Sequence, residues 1–468
     1  MTVFSRRGAC PALSAPMQTG DGLLVRLNPI TQGLPPKTLI GLCKSALRHG
    51  NGIIEVTARG SVQIRGLTET SAPLLAEEVD ALGISVRTGV PVETGPLAGL
   101  DPSETADPTP LAESIRAAIT ERDLSERLGP KVSVVVDGGG QFGMDSVQAD
   151  IRLTADGDIW QLSIAGDAGT ATFLRSVSTE DAPTAAISIL ESIAERGRDA
   201  RARDLISQNV LGILTNGPSS PCRDLLPACG EKNEAQASRT TSFSPPAGRR
   251  SRQGDEGQIA KLGIVDLGTQ AHALSIALPY GSVTAETLIA ICDAAAKHGA
   301  SEIRPALQRR LLILGLSTNT CATLQTESAT LGFITDASDP RRSIAACPGA
   351  PACASGQIET REIAERIAEQ SGDVLDPSVT LHISGCAKGC AHPASSALTI
   401  VGGENGAGFV VCGTAKGLPA SYTPRYEPAD GFGRVAKLIR MQRSAGETTV
   451  ATLAKIGAAR LAAAFRQG

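Results

Sequence analysis

The chain has 468 residues, a formal net charge of −4, 41% hydrophobic residues, 20% charged residues and only 3% aromatic residues. This composition is typical of a globular protein, and the length is sufficient for two to four domains of ordinary size. A nucleic-acid-binding protein would concentrate basic residues and aromatic stacking groups, so the negative charge and the scarcity of aromatics disfavour nucleic acid as a partner.

The first residues of the chain contain no continuous apolar segment of the length that a secretory signal needs. Later apolar runs are interrupted by Gly, Pro or charge before they reach the about 18 residues of a membrane span. We therefore expect a cytoplasmic protein without a membrane partner. The eleven cysteines are an odd number in such a chain, which favours metal ligation or buried thiols over a disulfide framework.

An internal repeat is the clearest large-scale feature. Leu34–Leu67 and Val283–Leu316 align without a gap at a constant offset of 249 residues, and Cys43 and Cys292 are among the identical pairs. In each copy, apolar residues at helical spacing end at His-Gly, and two short β-prone runs follow. With the apolar run Gly22–Leu27 ahead of the first helix, each unit is a strand–helix–strand–strand module. We expect the two modules to pack about a pseudo-twofold axis, with a ligand cleft between them.

The rest of the chain alternates between polar connections and regular elements. A polar stretch at 100–110 precedes a predicted helix at 111–122, and the segment 230–257, rich in Ser, Gly, Pro and charge, predicts a flexible linker. Beyond residue 317 the pattern predicts a further α/β unit. Its elements are a helix at 357–370, a strand at 379–384, and amphipathic helices at 431–442 and 448–466.

The last third of the chain contains two cysteine pairs. Cys347 and Cys353 form a C-x5-C pair, and after 32 residues Cys386 and Cys390 form a C-x3-C pair. Neighbouring Gly and Pro residues favour irregular loops for both pairs, and the predicted helix and strand between them provide a rigid scaffold. A cubane 4Fe–4S cluster takes one thiolate on each of four irons, so it needs four cysteines at one point. We interpret these four residues as the ligands of such a cluster.

Two other interpretations of the cysteines stay open at this point. Structural zinc is also bound by four cysteines, but the spacing within a zinc pair is usually shorter, which counts against zinc here. In the second alternative, the four residues are inert buried thiols, which is the usual state of isolated cysteines. The remaining cysteines are expected to be mostly structural, at positions 10, 43, 222, 229, 292, 321 and 412.

The two cysteine pairs, downstream of a duplicated module with the motif T-x-R-G-x-x-Q-x-R-G from Thr57, resemble the sulfite and nitrite reductase superfamily. In that family the four cysteines hold a 4Fe–4S cluster whose last thiolate bridges to siroheme iron, and Cys390 matches that position. The strand-turn motif supplies a basic residue to the tetrapyrrole, and Arg59 falls on it. The resemblance implies an α+β fold of duplicated ferredoxin-like half-domains with pseudo-twofold symmetry plus α/β iron–sulfur domains, as in sulfite reductase hemoproteins.

The domains implied are a first ferredoxin-like half-domain at 1–75, a first α/β tetrapyrrole-site domain at 76–229, the linker at 230–257, a second half-domain at 258–325, and a 4Fe–4S-binding α/β domain at 326–468.

Departures from the superfamily pattern indicate the subfamily. Sulfite-reducing members carry two lysines one residue apart in a strand, whereas here Lys131 matches the first and Ser133 replaces the second. A site that reduces a small anion by six electrons relies on several cations, so a site with only one of the two lysines is poorly suited to sulfite reduction. The N-terminal segment from Arg7 to Arg26, and Asp137 with the three glycines after it, instead resemble precorrin-3B synthases.

That resemblance implies a monooxygenase that converts precorrin-3A and O2 into precorrin-3B in aerobic cobalamin biosynthesis. Electrons from NADH are expected to arrive through a partner reductase or ferredoxin, because no flavin or Rossmann fingerprint is evident. The family is associated with a non-haem iron, whose ligands, like the catalytic residues, are not assigned by the sequence. Arg59, Arg65 and Lys131 are expected to bind substrate carboxylates, since guanidinium groups bind carboxylates bidentately.

Several alternatives are kept beside this interpretation. A siroheme-dependent nitrite or sulfite reductase is one alternative function, and a noncatalytic iron–sulfur electron carrier is another. An alternative interpretation of Arg59 and Arg65 is a solvated basic pair on an edge strand. His382 and His392 flank the second cysteine pair and are interpreted as packing or supporting groups rather than metal ligands.

Overall fold

A computed structural model of the chain describes residues 11–28, 32–206, 261–268 and 271–466. The expected linker at 230–257 and the N-terminal motif from Arg7 to Cys10 lie outside these ranges. Within them the chain is an α+β structure whose strands form four β-sheets.

The strands are β1 (Met17–Thr19), β2 (Gly22–Leu27), β3 (Ile53–Val56), β4 (Val62–Leu67), β5 (Val92–Thr94), β6 (Val134–Asp137), β7 (Ala149–Asp156), β8 (Ile159–Gly166), β9 (Thr172–Ser178), β10 (Gly263–Asp266), β11 (His272–Ala277), β12 (Ser282–Thr284), β13 (Glu302–Ala306), β14 (Arg310–Leu316), β15 (Ile344–Ala346), β16 (Leu381–Ser384), β17 (Ser396–Gly403), β18 (Gly406–Gly413) and β19 (Ser421–Thr423). The helices are α1 (Pro36–His49), α2 (Ser71–Ala81), α3 (Thr109–Glu121), α4 (Leu124–Arg127), α5 (Ala182–Ala194), α6 (Ala202–Ile206), α7 (Ala285–Lys297), α8 (Thr318–Thr330), α9 (Thr360–Ser371), α10 (Pro428–Gln442), α11 (Thr449–Ile456) and α12 (Ala458–Arg466).

The two repeat copies form one unit in which each copy lends a segment to the sheet of the other. β12, just before α7, pairs with β3 of the first copy and sets Val283 opposite Ile54. Reciprocally, Leu34, just before α1, pairs with Ile303 on β13. The same offset of 249 residues relates these two contacts. The strand–helix–strand–strand modules and their pseudo-twofold arrangement are therefore confirmed.

Helices α1 and α7 pack against each other at the centre of this unit. Their contact is formed by small side chains, since Cys43, Ala46, Cys292 and Ala295 are all 0% exposed. Burial raises the pKa of the Cys43 thiol to about 12, and burial together with the neighbouring Cys43 raises the pKa of Cys292. Both cysteines are thus neutral core thiols, the structural role expected from the repeat.

A second duplication is present in the α/β part of the chain. The sheet in the order β5-β6-β7-β8-β9 begins with two parallel pairings and ends with two antiparallel pairings. The sheet in the order β15-β16-β17-β18-β19 has the same sequence of pairings. Helices α3 and α5 share a hydrophobic core with the first of these sheets, and α9 and α10 with the second. On the opposite face of the first sheet, Val135 belongs to a hydrophobic cluster with Leu307 of the second half-domain hairpin.

Two of the expected domain boundaries fall inside helices. α2 packs on α1 and crosses the boundary at residue 75, and α8 packs on β11 and crosses the boundary at residue 325. The core shared by the half-domains accordingly includes Val79 and Phe333. Each half-domain extends further than expected because each copy adds one more helix after its second hairpin strand.

Local elements differ from the expectation mainly at their ends. The helix expected at 111–122 begins at Thr109, and the helix expected at 448–466 is divided by Gly457, whose φ is 79°. Among the described helices, none has both the length and the apolar character that crossing a membrane requires.

We expect Cys292→Leu to destabilise the half-domain unit, because a larger side chain does not fit between α1 and α7. Overpacking of this kind typically costs about 1–3 kcal/mol. Thermal unfolding followed by circular dichroism measures the effect, with Lys44→Leu on the exposed face of α1 as the control. Equal unfolding temperatures for the two variants would contradict the tight helix contact.

Candidate functional site

The two cysteine pairs meet at one edge of the second α/β sheet. β15 and β16 pair in parallel with Ala346 opposite Ile383, so their carboxyl ends lie side by side. Cys347 directly follows β15, and Cys386 lies two residues after the end of β16. Because loops at adjacent parallel strand ends emerge together, the sheet brings the C-x5-C and C-x3-C loops to the same place.

Close backbone packing holds the two loops against each other. The backbone N–H of Gly385 donates to Cys347 Sγ at 3.2 Å. A Cβ atom at Gly385 would lie 3.1 Å from Gly349 Cα and 3.2 Å from Gly356 Cα, so a larger residue there would push the loops apart. Lys388, between the second pair of cysteines, donates to Ser355 Oγ at 2.7 Å and adds a side-chain link.

The four thiols differ in exposure. Cys347 is buried, Cys353 and Cys386 are half-buried, and Cys390 is exposed. Burial raises the pKa of the Cys390 thiol, and the other three cysteines raise it further. The two pairs therefore lie on adjoining loops, with Cys390 on the exposed side.

Elsewhere in the described chain, Cys321 is a buried core residue and Cys412 is exposed on β18, while positions 10, 222 and 229 fall in the undescribed ranges.

This donor set suits a 4Fe–4S cluster better than a single ion. In a cubane each thiolate binds a different iron, whereas a structural zinc needs all its ligands about 2.0–2.3 Å from one metal. Over the described ranges, no group of three or more His, Cys, Asp or Glu side chains is arranged to hold one metal ion.

Arg65 lies beneath the first cysteine loop rather than in an open cleft. Its guanidinium is 3% exposed, pairs with Asp21 at 2.8 Å and with Glu55 at 3.3 Å, and donates to Ala352 O at 2.7 Å. Burial alone would lower the pKa of Arg65, but the two carboxylates outweigh it and raise that pKa. A Cβ at Gly20 would lie 2.5 Å from the amide nitrogen of Ala354, so the turn before β2 also touches this loop. The geometry assigns Arg65 to holding the loop, which leaves it unavailable to a substrate carboxylate.

Arg59 faces the first α/β sheet. Its Nη1 lies 3.4 Å from Glu93 on β5, its Nη2 donates to the carbonyl oxygen of Gln148, and its side chain is 43% exposed. Burial raises the pKa of Glu93, while the neighbouring Arg59 and Arg87 charges lower it. The guanidinium therefore retains an open side toward solvent.

Lys131 is exposed at the same end of that sheet. Lys131 lies in the turn before β6, which pairs in parallel with β7 from Val134 opposite Ile151. Ser133, two residues on, is 3% exposed, and its backbone N–H donates to Asp150 at 3.1 Å.

His382 is a feature whose importance the sequence did not indicate. It lies on β16 with no solvent exposure, and within the described structure neither ring nitrogen has a hydrogen-bond partner. Burial lowers its pKa to about 4, with further lowering by His392 and Arg309. The imidazole is therefore neutral at neutral pH and packs beneath the second cysteine loop, where its Cε1 would lie 3.6 Å from a Cβ at Gly389.

Comparisons with known proteins agree with this arrangement. Residues 15–82 match the family model of the nitrite/sulfite reductase ferredoxin-like half domain. The chain is 41% identical over 467 residues to a Sinorhizobium sp. protein named precorrin-3B synthase, which covers 99% of this chain and 95% of that protein. It is 22% identical over 391 residues to the ferredoxin–nitrite reductase of Synechococcus elongatus, covering 79% of this chain and 74% of that protein.

Among solved structures, the NirA protein of Mycobacterium tuberculosis superposes with a TM-score of 0.65 at 20% identity, covering 92% of this chain and 82% of that one. This likeness concerns the fold. Together with the half-domain match, it confirms the expected α+β architecture of the sulfite reductase type.

We expect Arg65→Met to lower the free energy of unfolding by about 3–5 kcal/mol, because removing one partner of a buried ion pair leaves charge uncompensated. Chemical denaturation followed by circular dichroism measures this loss. Arg48→Met is the matched control, since Arg48 pairs with Glu78 at the surface, where ion pairs contribute little. Similar losses for both variants would contradict the buried role of Arg65.

Proposed function

Because this chain belongs to the precorrin-3B synthase family, we propose that it converts precorrin-3A into precorrin-3B by hydroxylating C20 of the macrocycle and closing a γ-lactone from the ring A acetate. The observation that carries the proposal is the 41% identity with a precorrin-3B synthase over 99% of the chain. A match over 99% of the chain spans the half-domains, both α/β domains and the segment that contains the cysteine loops.

The reaction needs an external source of electrons. One atom of O2 enters the product and the other leaves as water, which takes up two electrons and two protons. NADH supplies the two electrons and one proton as a hydride, and the second proton comes from the solvent. The sequence has no evident nucleotide-binding fingerprint, so the hydride acceptor is a separate reductase, which passes electrons on directly or through a ferredoxin. We place this reaction in the cytoplasm.

Cys347, Cys353, Cys386 and Cys390 would hold a 4Fe–4S cluster that supplies one-electron transfer between the donor protein and the substrate cleft. The residues around it have separate tasks in this proposal. The N–H of Gly385 stabilises the Cys347 sulfur, and Lys388 ties the second loop to the first. Arg65 fixes the first loop to the half-domain.

Arg59 and Lys131 bind substrate carboxylates in this proposal. Precorrin-3A carries acetate and propionate groups around its ring, and a guanidinium matches a carboxylate bidentately. Arg59 is suited to the task because it projects from a half-domain turn and keeps an exposed side. Lys131, an exposed cation before β6, binds a second carboxylate in this proposal.

The two alternative functions have weaker support. A siroheme-dependent reductase is favoured by the nitrite reductase at 22% identity and by a sulfite reductase of Mycobacterium tuberculosis at 30% identity over 141 residues, which is only 29% of this chain. A noncatalytic electron carrier is not favoured by the near full-length relative, which is named as a synthase.

We expect Cys386→Ser to lose the broad visible absorption of a 4Fe–4S cluster, because one iron loses its thiolate ligand. Iron and acid-labile sulfide should fall together with the absorption. Cys412→Ser, at an exposed cysteine outside the two pairs, is the control and should keep all three signals. A Cys386→Ser protein with wild-type iron content would remove this cysteine from the ligand set.

We expect one O2 to be consumed for each precorrin-3A converted by protein supplied with a reducing system. In an atmosphere of labelled O2, mass spectrometry of the product should detect one labelled oxygen atom, since the other is reduced to water. Labelled water with ordinary O2 is the control and should give no label at C20. Conversion without oxygen uptake, or reduction of sulfite without precorrin chemistry, would refute the proposed activity.

A further inference from the structure

The tips of the two repeat hairpins touch each other. The backbone N–H of Gln308, at the tip between β13 and β14, donates to Ala58 O at 2.8 Å. Arg59 follows Ala58, and Arg309 follows Gln308. The two arginines therefore stand beside one contact between the half-domains.

The two arginines face different α/β domains. Arg59 reaches Gln148 at the start of β7, whereas Nη2 of Arg309 lies 3.2 Å from the carbonyl oxygen of Ala391. Ala391 directly follows Cys390, the exposed member of the cysteine group. Arg309 therefore lies next to the cysteine-bearing domain, whereas Arg59 lies next to the first α/β domain.

Arg309 has a hydrogen bond to Ala391 but no ion pair within the part of the chain that the structure describes. Glu55 is a carboxylate near enough to raise its pKa, but Arg65 and Arg361 already pair with Glu55. Most of the N–H groups of this guanidinium are therefore free to bind an anion.

Arg309 is partly exposed and has a second cation nearby. Burial lowers the pKa of Arg309, and the Arg361 charge lowers it further. His382 and His392 lie on the same side and bring no negative charge.

The backbone at this tip has an unfavourable conformation. Gln308 and Arg309 adopt φ values of 60° and 63°, a region in which Gly or Asn is preferred. At the offset of 249 residues, Arg309 corresponds to Gly60, whose φ is 81°. The first copy keeps the residue that suits the turn, and the second carries an arginine at a conformational cost. Such costs persist mainly where a side chain has a function.

We propose that Arg309 binds a carboxylate of the tetrapyrrole substrate beside Cys390, on the side of the cleft opposite Arg59. This inference rests on the proposed function, because it takes the polycarboxylate macrocycle as the occupant. Two arginines that face different domains hold two carboxylates of one ring and so fix its orientation relative to the cysteines. A guanidinium without an internal carboxylate partner is suited to this, since it forms strong charge-assisted hydrogen bonds.

The test is equilibrium binding of precorrin-3A without oxygen, so that no turnover occurs, followed by absorbance and by titration calorimetry. Arg309→Gln should raise the dissociation constant about tenfold or more, because hydrogen bonds to charged groups are among the strongest. Arg309→Lys keeps the charge and should recover part of the affinity. Arg203→Gln is the matched control, since Arg203 is 76% exposed on α6, and it should bind as the wild type does.

Arg309→Gly is a second variant that controls for misfolding of Arg309→Gln. It removes the same guanidinium but suits the left-handed backbone at this position, so its unfolding temperature should be at least that of Arg309→Gln. Iron content and the visible spectrum should match the wild type in both variants.

The outcomes separate the two proposals. Unchanged precorrin-3A affinity in Arg309→Gln and Arg309→Gly would overturn the role of Arg309 and leave the proposed function standing. Loss of iron or of thermal stability in both variants would also overturn it, because Arg309 would then be a structural tie to Ala391. Failure of the wild-type protein to bind precorrin-3A would instead remove the proposed function and the inference together.

Discussion

The contact of Arg65 with the first cysteine loop is the interaction on which the arrangement of the site depends. This guanidinium donates to Ala352 O at 2.7 Å and is held from below by Asp21 and Glu55. It joins the half-domain unit to a loop that the parallel pairing of β15 and β16 places beside the second cysteine loop. Without this tie, the cysteines would keep their sheet edge but lose their fixed position relative to the half-domain hairpins, and therefore relative to the cleft.

Duplication followed by divergence explains why only one pseudo-symmetric side of the molecule has the cysteine loops and the buried arginine. At the offset of 249 residues, Leu314 stands where the first copy has Arg65, and it packs with Leu97 and Phe142 in an apolar cluster. The α/β domains diverge in parallel, since the loop after β6 carries glycines where the loop after β16 carries Cys386. One pseudo-symmetric face became an apolar interface, and the other acquired thiols, a buried arginine and a buried imidazole.

The sequence predicted the half-domain duplication because identical residues recur at a constant offset and small buried residues such as Cys43 and Cys292 must be kept where two helices pack. The second duplication was missed because its strands share only apolar character. The role of Arg65 was also misjudged: a basic residue on a strand does not reveal partners 44 and 287 positions away. Strand alternation places His382 on the face opposite Leu381 and Ile383, but its unpartnered nitrogens are visible only in three dimensions.

In the proposed function, an iron–sulfur cluster on the four cysteines and the tetrapyrrole substrate share one cleft. The most direct test is the electron paramagnetic resonance spectrum of the chemically reduced protein, recorded without oxygen before and after precorrin-3A is added. A macrocycle seated beside Cys390 should shift or broaden the cluster signal in proportion to the bound fraction. A cluster signal that stays identical at saturating precorrin-3A would contradict the shared cleft.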